Sequence, residues 1–150
     1  MRVVIQRVSS ASVVIGRQVY SEIGNGLMIL AGFEIRDTEK TIDWLCNKIV
    51  NMRIFSDSEK KMNLSVLDVG GEIMAISQFT LHASSRKGNR PSFIRAAPPD
   101  VSKPLYQAFV KCLGEHLGKP IAHGVFGVDM KVSLVNDGPV TIMMDTEAQE

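Results

Sequence analysis

Asn136-Asp137-Gly138-Pro139-Val140-Thr141 stands between two apolar, strand-like runs, residues 131–135 and 140–145. Proline in such sequence lacks the N–H that a strand ladder needs, so Pro139 belongs at an edge, a turn or a bulge. Asn136, Asp137 and Gly138 are turn formers, and glycine takes backbone angles closed to other residues. A peptide bond before proline can also be cis, at a cost of only about 0.5–1 kcal/mol. A rigid Gly138-Pro139 step can therefore hold backbone carbonyls out toward a ligand. An ordinary loop joining two strands fits the same residues.

A second segment bears on that choice. Gly70-Gly71 precedes an apolar run over 73–76, and Ser77-Gln78-Phe79-Thr80-Leu81 follows it. Hydroxyls, an amide and an aromatic ring at a strand end suit a polar pocket with an apolar wall. On alternate residues of a half-buried strand, Gln78 and Thr80 would instead simply face water. Neither segment holds a conventional catalytic pair. Their one ionisable side chain, Asp137, suits a turn, and the chain has no Gly-x-Ser-x-Gly elbow. Thr80 carries the obvious hydroxyl, with no base beside it in sequence.

Together the two segments resemble the paired signature of the D-aminoacyl-tRNA deacylases. The similarity continues through Met1-Arg2-Val3-Val4-Ile5-Gln6-Arg7-Val8, Lys61-Met62-Asn63-Leu64-Ser65 and Arg86-Lys87-Gly88-Asn89-Arg90-Pro91-Ser92-Phe93. It extends to Ala96-Ala97-Pro98-Pro99, Pro104-Leu105-Tyr106 and Phe126-Gly127-Val128-Asp129-Met130, leaving only residues 146–150 as a polar tail. The resemblance implies hydrolysis of D-amino acid esters on tRNA. It places the reacting ester beside Gln78, Phe79 and Thr80, with Ser77 nearby. It assigns Gly138 and Pro139, in a cis unit, to a wall that rejects L substrates, and it implies a homodimer.

A wall near Cα is a sound device for chirality, because it is indifferent to the D side chain and cannot exclude glycine. With no protein base in view, the substrate's own ribose 2′-OH can help activate water, and backbone N–H groups can stabilise the oxyanion. A Gly-Pro turn entering a pocket from outside suits an active site shared between two subunits. Arg86, Lys87 and Arg90 form the densest basic group, with Phe93 available to stack on a base of the aminoacylated 3′ end. A solvated flexible loop reads the same way. Arg7, on an otherwise apolar strand, calls for a buried or interface partner and is a further candidate for substrate binding. A non-catalytic RNA-end module and a general small-ester hydrolase remain the two rivals.

The 150 residues fit one domain, 1–150, with 45% hydrophobic and 22% charged residues, an ordinary folded balance. A net charge of +1 gives no global pull toward polyanions, so any RNA must meet a local patch. Cys46 and Cys112 are distant in sequence and without companion ligands, and His82, His116 and His123 show no metal-ligand spacing. No metal and no cofactor is expected. Two reduced thiols and the absence of an apolar leader or membrane-length run suit the cytoplasm.

Apolar periodicity predicts strands at 3–8, 12–15, 19–23 and 27–33, then a helix capped at Asp37 or Thr38 and running to about Met52. Its stripe is Ile42, Leu45, Ile49 and Met52, with Trp44 on a flank. A short strand at 53–55 and a longer one at 73–81 come next, followed by a polar loop over 82–95. A second helix is expected from near Ser102 to Gly118, with Leu105, Phe109, Cys112 and Leu113 inward. Strands near 121–125, 130–135 and 140–145 finish the chain. The fold class is α/β. Two helices can cover one face of a sheet whose other face packs on further strands, and the resemblance implies this three-layer α/β/β form with a mixed sheet.

Overall fold

Two long, alternating strands organise the molecule. β1 (Arg2–Ile15) pairs antiparallel with β3 (Gly26–Gly32) through its first half and with β2 (Gln18–Ile23) through its second. After α1 (Glu39–Asn51), the short strands β4 (Phe55–Ser56) and β5 (Met62–Leu64) pair with each other, and β6 (Glu72–Ser77) then runs parallel to β3. α2 (Pro99–Leu117) leads to β7 (Ala122–His123), parallel to β6, and β8 (Lys131–Asp145) returns antiparallel along the whole of β1. The computed structural model describes residues 1–148, and among them the mixed sheet runs β2-β1-β3-β6-β7 with β8 beside β1.

Side-chain alternation divides the interior into two cores. Leu27, Ile29 and Ala31 of β3 and Ile73 and Ala75 of β6 face α1 and α2, packing on Ile42, Leu45, Phe109 and Leu113. Met28, Met74 and Ile76 point the other way, into a cluster with Val8, Ala11, Val13 and Ile23. β1 changes core along its length. Val3 and Ile5 lie in the helical core, whereas Ala11 and Val13 lie in the second. Register shifts between Gln6 and Ser10 permit this, since an extra residue moves every later side chain to the other face. The far half of β1 therefore curls over the sheet with β2, whose Ser21 Oγ donates to the His123 carbonyl of β7 (2.8 Å). The result is a nearly closed, mixed α/β single domain with helices on one side.

Both helices end where their caps dictate. Thr38 caps α1 through its side chain, which accepts from the N–H of Thr41, and Gly118 closes α2 at φ +78°. Several limits differ from those expected. β1 is one strand, not two, because its bulge shifts the ladder without breaking it. β6 stops at Ser77, where its partner β3 runs out, and residues Phe79–His82 form a 3-10 turn in place of further strand. α2 starts at Pro99, three residues before Ser102, because proline at the first helical position gives up only an N–H that has no partner there. Pro104 thus lies inside the helix rather than in its first turn. Residues 131–145 form one strand, so the Gly-Pro segment does not reverse the chain. Of the polar tail, Thr146 is tied down by its N–H to the Met1 carbonyl (3.0 Å), while residues 149–150 lie outside the described residues.

Candidate active site

The end of β6 builds one side of the site. Gln78 N–H still donates to the Ala31 carbonyl (2.7 Å), completing the ladder, after which the chain turns into the 3-10 segment. The first N–H groups of a helical turn have no partner within it. Those of Phe79 and Thr80 accordingly donate to no acceptor among the described residues. Gln78's own N–H is spent on the sheet, so the free backbone donors are Phe79 and Thr80. Gln78 contributes its side-chain amide instead, donating to Thr80 Oγ1.

These residues edge a cleft of about 650 Å³ that reaches from Ser77, Gln78 and Phe79 across Phe93 and Ala97 to the 126–130 segment. Phe79 is no core residue: it is 56% exposed and meets Phe93 edge-on, ring centroids 5.2 Å apart. Sequence reading gave Phe126, Val128 and Met130 no role, although that segment formed part of the resemblance; here they line the cleft's far wall. Arg86, Lys87 and Arg90 are exposed on a loop whose stem is closed by paired hydrogen bonds between Ser84 and Ser92 (2.8 and 2.9 Å). The loop leads directly into Phe93, which lines the cleft.

A partly buried polar network that sequence reading missed supports the turn from behind. Arg2 Nη1 donates to the Leu81 carbonyl (3.1 Å), while its Nε pairs with Asp145 Oδ2 (2.7 Å). Burial raises the Asp145 carboxyl, but Arg2 and the N–H of Glu147 outweigh it and hold the group below the usual carboxylate range. His82 is fully enclosed. Its Nδ1 stands 3.1 Å from Glu34 Oε1 but is misaligned for a hydrogen bond, so neither ring nitrogen has a bonding partner among the described residues. Arg95 completes the group at 3.0 Å from the same oxygen. Arg2, a charge at the head of an otherwise apolar strand, was the sequence's one hint of this network.

Gly138 and Pro139 are exposed, joined by a cis peptide bond, and absent from the lining of the cleft. In the β1–β8 ladder Gln6 opposes Thr141 and Val8 opposes Asn136, so Arg7 alone faces the four residues 137–140. This is a bulge, one of the three placements open to a proline in strand sequence. Arg7 spends its guanidinium on it, donating from Nε to the Asp137 carbonyl (2.9 Å) and from Nη1 to the Ile54 carbonyl (2.7 Å). Asn136 clamps the other side: its Oδ1 accepts from Val140 N–H (2.8 Å) and its Nδ2 donates to Thr141 Oγ1 (2.9 Å). One chain thus holds an open cleft with free N–H donors and, separately, a braced and projecting Gly-Pro bulge.

A family model described as D-Tyr-tRNA(Tyr) deacylase matches residues 4–145. The chain belongs to that family. It is 61% identical to a D-aminoacyl-tRNA deacylase of Bacteroides thetaiotaomicron and 57% identical to one of Flavobacterium johnsoniae, each over 100% of both chains. A solved structure titled c-Myc DNA unwinding element binding protein superposes with a TM-score of 0.91 at 39% identity, covering 97% of this chain and 98% of that one. Another, titled as a probable eukaryotic D-amino acid tRNA deacylase, gives 0.82 at 20% identity and shares the fold. Membership of the family makes the chain a hydrolase acting on ester bonds. Elsewhere, geometry corrects the expectation that the cysteines lack companions: Asp43, Cys112 and His116 place their donor atoms within 4.8 Å of one another. Among the described residues no helix is long and apolar enough to cross a membrane.

Proposed function

We propose that this enzyme removes D-amino acids, and glycine, from the 3′ end of tRNA in the cytoplasm, at a site completed by a second copy of the chain. The observation that carries the mechanism is the pair of N–H groups on Phe79 and Thr80, without acceptors among the described residues, on the turn that leaves an apolar cleft at Phe79. Donors that are already oriented need no reorganisation when charge develops on an ester oxygen, which is why such groups count for so much. Water adds to the ester carbonyl, the resulting oxyanion is received by these two N–H groups, and the neighbouring ribose 2′-OH passes water's proton to the leaving O3′. Free amino acid and uncharged tRNA result. Thr80 Oγ1 already accepts from Gln78 and orders the turn rather than attacking.

Chirality is assigned to Gly138 and Pro139 of the partner copy. Their bulge is held at both ends by Arg7 and Asn136, so its backbone can stand as a wall where an L side chain would go. Ser77 and Phe93 line the substrate's cleft, Arg7 acts on the substrate through the wall it braces, and Arg86, Lys87 and Arg90 meet the phosphates of the acceptor end. Apolar Val135 (57% exposed) and Met143 (76%) on β8 give a second copy something to cover. Single-turnover hydrolysis of D-tyrosyl-tRNA ending in 2′-deoxyadenosine, the ester on O3′, tests the chemistry. The deoxy substrate should bind normally and react at least a hundredfold more slowly. Full activity on it, or a trapped acyl-Thr80 species, excludes the mechanism.

A further inference from the structure

Three sulfur, nitrogen and oxygen donors converge where α1 crosses α2, with a second thiol in the core behind them, on residues that take no part in lining the active-site cleft. Asp43 and Cys46 are three apart on α1, Cys112 and His116 four apart on α2, so each pair shares a helix face. His116 Nε2 stands 2.9 Å from Asp43 Oδ1, and Cys112 Sγ stands 3.9 Å from the same oxygen. All three donor atoms lie within 4.8 Å of one another. Behind them Cys46 is fully buried, its Sγ donating to the Phe109 carbonyl (3.9 Å).

We propose that Asp43, Cys112 and His116 bind a divalent zinc ion that clamps α1 to α2, with its fourth position open to water. The donor set is the argument for zinc. Thiolate, imidazole and carboxylate together suit this borderline-soft ion, whereas calcium and magnesium take oxygen alone. Distances support it. A tetrahedral zinc with bonds of about 2.0–2.3 Å holds its donors roughly 3.4–3.7 Å apart. The nitrogen–oxygen and sulfur–oxygen separations here bracket that span and the sulfur–nitrogen separation is within 4.8 Å, so side-chain shifts on the order of 1 Å complete the site. Asp43 and His116 are open enough to solvent for an ion to enter, and a cleft of about 230 Å³ lined by Asp43, Ala108 and Cys112 adjoins them.

Coordination releases the Cys112 thiol proton to solvent, and the metal supplies the charge that offsets it. Burial, with Asp43 and Glu115 nearby, otherwise favours the protonated thiols of Cys46 and Cys112. Cys46 is the back wall of the site and no ligand.

The test is zinc competition against a chromophoric chelator, using full-length, chelator-stripped protein under a phosphine reductant. Cobalt(II) substitution supplies a second readout. One zinc per chain is expected, with a raised thermal midpoint and a cobalt–thiolate charge-transfer band. Asp43→Asn, Cys112→Ser and His116→Gln should each weaken binding at least about tenfold, and Cys112→Ser should abolish the band. Cys46→Ser should keep both. Sub-stoichiometric binding, no competition at micromolar zinc, or affinity unchanged in the three ligand variants would overturn the site. So would a band that survives Cys112→Ser and is lost in Cys46→Ser.

Discussion

Phe79 is where backbone chemistry can be separated from side-chain chemistry. Its N–H has no acceptor among the described residues, and it occupies the first position of the 3-10 turn, where proline's fixed φ is tolerated. Phe79→Pro therefore deletes one oxyanion donor with little demand on the backbone, and about a 10²–10³-fold fall in single-turnover rate is expected. Phe79→Ala keeps the donor and loses only the contact with Phe93, so it should fall by less than tenfold; equal losses in the two variants would remove the backbone from the mechanism. Gly138 makes a parallel case for the wall. Its φ is +139°, and a Cβ there would lie 2.8 Å from Val140 Cγ2 and 2.9 Å from Arg7 Nη2. Gly138→Ala must then displace the bulge or its brace. A displacement near 1 Å costs about 10²-fold where geometry governs the rate. Measured kcat/KM on D-tyrosyl-tRNA should drop by that order, and an unchanged value would mean that the bulge does not touch the substrate.

The elements that carry these residues were partly legible in sequence. α1 was readable to within a residue because Thr38 caps it and its apolar stripe has one period throughout. β6 was read too long: Phe79 and Leu81 continue an apolar alternation, but β3 ends at Gly32 and leaves the strand no partner. Local pattern cannot report where a neighbouring strand stops. The same limit hid the Glu34–His82–Arg95 group and the meeting of Asp43 with His116, which long-range packing alone brings together. Asp145 ties the end of β8 to Arg2 and so to the site's turn. Its folded-state pKa is depressed, so its contribution to stability is complete above the unfolded value of about 3.9 and is lost as pH falls through the lower folded value. Urea midpoints between pH 6 and 3 should show Asp145→Asn with a shallower acid decline than the parent, and identical declines would deny the link. In the helical core, Phe109→Ala should cost about 3–5 kcal/mol by chemical denaturation, as a fully buried aromatic leaves a cavity that the α1–α2 pair cannot close.

Across the whole molecule, a net charge of +1 leaves substrate capture to a local patch. Replacing Arg86, Lys87 and Arg90 together with alanine should raise KM with little change in kcat, and should reduce the log–log salt slope of binding by about 2 if all three meet phosphate. An undiminished slope would place the tRNA elsewhere. The larger question is how the cleft and the Gly-Pro bulge meet, since within one chain Gly138 and Pro139 do not line the cleft. Mixing Phe79→Pro chains with Gly138→Ala chains, after exchange of subunits, answers it directly. If each site draws its N–H donors from one chain and its wall from the other, a mixed dimer has one site with both lesions and one with neither. Random exchange makes about half the dimers mixed, so roughly a quarter of the wild-type deacylation rate should return. If donors and wall belong to the same chain's site, every site keeps one lesion, the mixture stays as inactive as its parents, and the shared site is wrong.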